Sequence, residues 1–179
     1  MTRKRKTDGE KETISRSAAS AEDSSAQSSK YDCLKLSHQL CFPLYAVSKE
    51  IIRRYKPLLE ALDLTYTQYI AMMVMWEARE LNVKELGRCL YLDSGTLTPV
   101  LKKLEHKGYI TRRRSKVDER NLIVAVTEKG MELREQALSV PAEMSCALPL
   151  THEETMTLYK ILHKMLDAME GDGQGGGQA

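Results

Sequence analysis

Four cysteines and eight tyrosines supply the nucleophilic and phenolic groups of this 179-residue chain. Cys41 stands in Gln39-Leu-Cys41-Phe-Pro-Leu-Tyr45, at the head of an apolar run with helical spacing. A thiol at a helix start meets partial positive charge and unsatisfied N–H groups. Both favour the thiolate, the form that attacks a peroxide. Tyr45 follows Cys41 by four positions, so the two share a helix face, and a phenol can donate to a thiolate. Attack on a peroxide gives a sulfenic acid, which a second thiol converts to a disulfide. The leucines and tyrosines nearby suit apolar hydroperoxides better than hydrogen peroxide. The plain alternative is that Cys41 is a small buried hydrophobe among Leu and Phe; residue types alone leave both open.

The other candidate ligands are sparse. Cys33, Cys89 and Cys146 form no CxxC pair, so a zinc ribbon is not indicated. Cys89, in Leu86-Gly-Arg-Cys-Leu90, reads as inert core, and Cys33 carries no assigned role. His38, His106, His152 and His163 are scattered without metal spacing, so neither a metal nor a cofactor is expected. Met72, Met73 and Met75 read as core. In a cytoplasmic chain, the expected setting here, such cysteines are reduced by default and any disulfide is a transient or sensing one.

A second constellation is electrostatic. The whole chain has 27 basic and 25 acidic residues, a net charge of +2, which excludes a uniformly basic coat. From Lys102 to Arg120, however, eight basic residues (Lys102, Lys103, Lys107, Arg112, Arg113, Arg114, Lys116, Arg120) face three acidic ones. Between Met131 and Glu170 the balance reverses, with three basic against seven acidic residues. Charge gathered on one edge is what phosphate contact needs. Just before it, Asp93-Ser-Gly-Thr-Leu-Thr-Pro99 puts Ser94, Gly95, Thr96 and Thr98 at a helix start. Such small and hydroxyl side chains let a helix end enter the major groove and donate to bases or phosphates. Asp118-Glu-Arg120 lies at a turn, where Arg120 is placed to enter a minor groove with Asp118 orienting its guanidinium. The bland readings are cap residues and a solvated turn; the adjacent charge favours DNA contact for both.

The elements that must position these groups follow from periodicity and caps. Leu40, Leu44, Val47, Ile51, Tyr55 and Leu58 recur at spacings of three and four, predicting a helix over about 36–62. Pro43 fits only a first turn, which sets regular helix from about Cys41. Thr65–Gln68 and Asn82–Glu85 resemble capping boxes and open a helix through Trp76 and a short helix to about Leu90. Asp93 caps a helix over about 94–107, closed by Gly108. Tyr109–Arg114 and Asn121–Val126 read as a β-hairpin around a polar turn. Thr127 caps a helix over about 128–139, interrupted by Pro141. Thr151–Glu154 is a capping box before a last helix to about Glu170, striped by Leu158, Ile161, Leu162, Met165 and Met169.

The fold class expected is mainly α with a small β-hairpin wing: a winged helix-turn-helix. The end helices carry apolar stripes with little core to cover, which an intertwined homodimer would bury. Residues 1–30, with seven serines and almost no large apolar side chain, are expected to be disordered. The domain is expected over 31–170, and 171–179, rich in glycine, as a flexible tail. No apolar run approaches membrane-spanning length, and the charged N-terminus lacks a signal-peptide h-region.

Five motifs together resemble a known family: Gln39-Leu-Cys41-Phe-Pro-Leu-Tyr45, Tyr55-Lys-Pro-Leu-Leu, Leu64-Thr-Tyr66-Thr-Gln-Tyr69, Leu90-Tyr-Leu-Asp-Ser-Gly-Thr-Leu-Thr-Pro99 and Asp118-Glu-Arg120. In order and spacing over roughly 34–170 they are similar to the MarR regulators, and most to their organic-hydroperoxide-sensing repressors, usually called OhrR. The resemblance implies that Cys41 is the peroxidatic cysteine. It implies that Tyr55 and Tyr66 hydrogen-bond that sulfur across a dimer interface, with Tyr45 nearby. It also implies, for a two-cysteine subclass, that Cys146 resolves the oxidised thiol of the other subunit. Pro43 departs from the alanine common at that position. The partners implied are a pseudo-palindromic double-stranded operator, a second copy of the chain and an organic hydroperoxide. Two rivals stand beside this reading. One is a MarR-type regulator answering a small phenolic or lipophilic ligand. The other is a thiol peroxidase, against which no catalytic His, Gly-rich loop or cofactor motif speaks for an enzyme.

Overall fold

The computed structural model describes residues 30–115 and 121–173, and five of its helix starts are fixed by side-chain caps that the sequence spells out. The N-terminal stretch, the C-terminal stretch beyond Gly173 and the wing tip with Lys116, Asp118 and Arg120 lie outside the described residues. Two short 3-10 turns, Asp32–Leu34 and Leu36–His38, precede α1 (Cys41–Glu60). Helix α1 therefore starts at Cys41 and not at 36, because Gln39 is extended at φ −95° and ψ 114°. Pro43 falls in the first turn, where its missing N–H costs nothing. Pro57 lies inside the helix and has no N–H for the carbonyl of Arg53.

After α1 come α2 (Tyr66–Ala78), β1 (Glu80–Asn82), α3 (Val83–Leu90), α4 (Ser94–His106), β2 (Ile110–Arg114), β3 (Leu122–Val126), α5 (Glu128–Gln136), α6 (Val140–Ala147) and α7 (His152–Gly173). Thr65 and Asn82 form complete capping boxes with Gln68 and Glu85. Asp93 and Thr127 cap α4 and α5, and Thr151 exchanges bonds with Glu154 at α7. The expected helix over 128–139 is shorter. It ends at Gln136, and Pro141 sits in the first turn of a new helix, starting it instead of interrupting the previous one.

The expected hairpin is part of a three-stranded antiparallel sheet of order β1-β3-β2. Strand β1 pairs Leu81 with Val124, and β2 pairs Arg112 with Val124 from the other side. Three residues are too few to show a period of two, and the cap signal at Asn82 overlies them.

The chain divides between Arg53 and Arg54 into two compact units. The second holds the core: Leu59, Met72, Met75, Leu86, Leu97, Leu101, Leu104, Ile110 and Val124 are fully buried. Helix α4 thus gives its Leu97, Leu101 and Leu104 side to the core and keeps the opposite side for solvent. Trp76 closes this core by donating from Nε1 to the Gly130 carbonyl at 2.7 Å. In the same unit α7 leaves Leu158, Ile161, Leu162 and Met169 exposed. In the first unit Leu40, just before α1, and Phe42, Tyr45, Val47 and Ile52 along it are exposed. Among the described residues no helix is long and apolar enough to cross a membrane.

Candidate nucleic-acid interface and thiol site

Helix α4 presents its small residues as the sequence suggests. Ser94, Gly95, Thr96, Thr98, Lys102 and Lys103 are all exposed. The Asp93 carboxylate accepts the Thr96 N–H at 2.9 Å through Oδ1 and the Thr96 hydroxyl at 2.7 Å through Oδ2. These two bonds hold the Asp93 carboxyl below its ordinary range. Thr98 donates its hydroxyl to the Ser94 carbonyl at 2.6 Å. A Cβ on Gly95 would come within 2.9 Å of Asp93 Oδ1, so glycine leaves the cap room to form. Tyr91 ends α3 in the left-handed region at φ 54°, producing the sharp turn into α4.

The wing arginines are not equivalent. Arg112, on the strand face turned toward α4, donates from Nε and Nη2 to Glu105 Oε2 at 2.9 and 2.5 Å. Only 19% of its side chain is accessible. Arg113 donates to Glu80 at 2.8 Å, reaching over the central strand to β1. Arg114 is exposed near the end of β2. Glu80 and Glu105 were not singled out from sequence, and their pairing depends on the sheet. Lys107 is tied to Asp63 at 3.0 Å. Among the described residues Lys102 and Lys103, on the outer side of α4, are exposed cations of the basic stretch.

The thiol residues divide between the two units. Cys41 is the exposed first residue of α1, and Tyr45, one turn on, is 63% exposed. Tyr45, Ser48, Lys49 and Ile52 line a shallow depression further along that helix. In the second unit Tyr55 and Tyr66 come together, with ring centroids 5.0 Å apart. A third ring joins them: Tyr69, almost fully buried, lies 5.9 Å from Tyr55 and 6.1 Å from Trp76. Its spacing of three from Tyr66 was the available signal. Burial pushes all three phenols above their ordinary range.

Cys146 is exposed near the end of α6, where Arg54 donates to the neighbouring Ala147 carbonyl. Cys89 is also exposed, which corrects the expectation of inert core. Helix α3 buries Leu86 and Gly87 instead, and Cys89 falls outside that stripe. Cys33 is exposed and lies 3.5 Å from the Lys30 carbonyl. Among the described residues no group of three or more His, Cys, Asp or Glu side chains is gathered to hold a metal.

The chain is 45% identical over 140 residues to the organic hydroperoxide resistance transcriptional regulator of Bacillus subtilis, spanning 78% of this chain and 95% of that one. The chain belongs to the MarR family, in its organic hydroperoxide regulator branch. Residues 53–137 of this MarR-family chain also match the transcriptional regulator SarA/Rot family. Its fold is similar to reduced AbfR bound to DNA, a protein of Staphylococcus epidermidis. That match has a TM-score of 0.65 and 32% identity, over 78% of this chain and 98% of the other. Likeness to the disulfide-formed AbfR has a TM-score of 0.54 and 33% identity, over 81% and 99% of the two chains. The winged-helix architecture and the DNA-binding regulatory function follow from this kinship, and these relatives are regulators of transcription, not enzymes.

Proposed function

We propose that this MarR-family protein is a homodimeric repressor that holds a pseudo-palindromic operator while Cys41 is reduced and releases it on oxidation by an organic hydroperoxide. The observation that carries the reading is Cys41 as the exposed first residue of α1, in a chain so similar to a regulator of organic hydroperoxide resistance. The Cys41 thiolate attacks one peroxide oxygen. An S–O bond forms, the O–O bond breaks, and the alcohol leaves after taking up a proton. The sulfenic acid then condenses with Cys146 of the partner subunit, forming the disulfide and releasing water. Tyr55 and Tyr66 of the partner subunit are the donors assigned to the anionic sulfur, with Tyr45 of the same chain beside it.

On the nucleic-acid side, α4 enters the major groove through Ser94, Gly95, Thr96 and Thr98. Lys102, Lys103, Arg113 and Arg114 neutralise phosphates, and Asp118 and Arg120 at the wing tip serve the minor groove. Arg112 acts as a strut for the wing instead of a phosphate ligand, since Glu105 occupies its guanidinium. A second copy covers the apolar sides of α1 and α7, and the regulator works in the cytoplasm.

The test is a gel shift on the protein's own upstream DNA with and without cumene hydroperoxide. Wild type should bind and then release. Cys41→Ser should bind and stay bound, and Cys146→Ser should lose the covalent dimer on a non-reducing gel. Release by the Cys41→Ser variant would overturn the thiol switch. The depression lined by Tyr45, Ser48, Lys49 and Ile52 would then favour the second reading, a regulator answering a small phenolic or lipophilic ligand.

A further inference from the structure

We propose that Thr96 and Thr98 act as fixed hydrogen-bond acceptors and read the amino groups of adenine or cytosine. This assigns a base-reading polarity to the recognition helix and rests on the placement of α4 in the major groove proposed above.

A hydroxyl has one proton and two lone pairs. The Thr96 proton is spent on a carboxylate: Asp93 Oδ2 lies 2.7 Å from Thr96 Oγ1, and an ionised carboxylate can only accept. The Thr98 proton is spent on the Ser94 carbonyl at 2.6 Å, again a group that can only accept. Both residues are exposed, and with its proton spent each hydroxyl has only lone pairs left to offer. Pro99 adds to the same polarity, because it has no N–H for the Gly95 carbonyl four residues before it. The sequence reading had these residues donating to bases or phosphates. The bonds on the helix leave that role to Ser94, whose hydroxyl makes no bond among the described residues.

What such acceptors can recognise follows from what DNA offers. Phosphate oxygens carry no proton, so a hydroxyl whose proton is used gains nothing there. In the major groove the amine donors are adenine N6 and cytosine N4, while guanine O6 and N7 and thymine O4 accept. Thr96 and Thr98 are two residues apart and lie on opposite flanks of the helix, with Gly95 and Pro99 between them. Each flank is therefore matched to an amino-bearing base and mismatched to a guanine or thymine edge.

Two variants separate polarity from mere presence. Thr96→Val keeps the shape and the Asp93 bond to the backbone N–H but removes the acceptor. Asp93→Asn keeps Oδ1 on the Thr96 N–H and turns an amide donor toward the Thr96 hydroxyl, which frees its proton. The test is a selection from randomised duplexes, followed by atom-level changes in the selected half-site. Adenine is replaced by purine lacking the 6-amino group, and cytosine by its analogue lacking the 4-amino group. Wild type should lose roughly threefold to tenfold in affinity when the matched amine is removed, the range for one net hydrogen bond. Thr96→Val should be indifferent to that removal, and Asp93→Asn should move its preference there toward guanine or thymine. Should the variants fold poorly, wild-type protein against the modified duplexes decides alone. Indifference of wild type to every amine in the half-site, with guanine N7 still protected from methylation, overturns the acceptor reading while leaving α4 in the groove. Absence of N7 protection overturns the placement of α4 itself, and the inference with it.

Discussion

Arg112 and Glu105 make three hydrogen bonds to each other: the guanidinium donates twice to Oε2, and the Arg112 backbone N–H donates to Oε1 at 3.2 Å. The first wing strand is thereby fastened to the last turn of the recognition helix. The pair sets the angle between the two parts proposed to meet DNA, and it spends one cation of the basic edge.

The acid dependence of stability follows from this pair. The hydrogen bond from Arg112 holds the Glu105 carboxyl below its ordinary range, so its contribution is present above the unfolded value and lost as pH falls through the folded one. With an unfolded Glu near pH 4.3, stability should decline below about pH 4.5. Glu105→Gln should cost about 1 kcal/mol at neutral pH, since both side chains are partly solvated, and should flatten part of the acid limb. Urea melts at pH 7 and pH 3.5 measure both. An acid limb identical in wild type and variant would show that the pair is not coupled to folding.

Salt dependence should sort the basic residues. Each phosphate contact adds about 0.9 to the slope of log affinity against log salt. Lys102→Ala or Lys103→Ala should shallow the slope by about one such unit. Arg112→Ala should weaken binding by loosening the wing and leave the slope as it was. Titrations at four salt concentrations read the difference, and a shallower slope for Arg112→Ala would return it to the phosphate contacts.

That ordering was not available from sequence, where Arg112, Arg113 and Arg114 look alike. The caps were: Thr65, Asn82, Asp93, Thr127 and Thr151 each act on a backbone N–H three residues away, so local sequence suffices. The winged-helix order followed from them and from the leucine spacing. Partners remote in sequence did not follow. Glu80 meets Arg113 only because β1 joins the sheet, and β1 is too short to announce itself. Cys89 was misjudged because a cysteine beside Leu90, in a helix that begins its apolar stripe at Leu86, looks internal, whereas the helix turns Leu86 and Gly87 inward. The positive φ of Tyr91 and Arg79 had no glycine to mark it. The thiol motif was readable as residues, but any group that a second copy brings to Cys41 is not written in one chain.

The tyrosine cluster predicts an alkaline signature. Burial raises Tyr55, Tyr66 and Tyr69, with Tyr66 and Tyr55 adding to the shifts of their neighbours. A raised folded value means that stability is fully present below the unfolded tyrosine value and lost as pH rises through the folded one. Tyrosinate absorbance should therefore show a late fraction above about pH 10, released together with unfolding. Tyr66→Phe should remove part of that late fraction. If all eight tyrosines ionised in one early step, the phenols would not be sequestered.

Among the described glycines the closest approach is at Gly130. A Cβ there would stand 2.1 Å from the Tyr109 carbonyl oxygen and 2.8 Å from Val126 Cγ2. The first obstacle is backbone, so it cannot rotate away. The Gly130 carbonyl is also the acceptor for the Trp76 indole at 2.7 Å, so any shift of α5 strands a buried donor. Gly130→Ala should therefore cost about 3 kcal/mol or more, from overpacking together with the lost bond. Trp76 is the chain's single tryptophan, which makes fluorescence a local probe of this contact. The variant should show red-shifted emission and an earlier urea midpoint, while Trp76→Phe in the wild-type background should lose both the hydrogen bond and the packing of the larger ring. Equal stability of Gly130→Ala and wild type would mean that α5 can withdraw from Tyr109 at no cost, and that the base of the wing is not held by this contact.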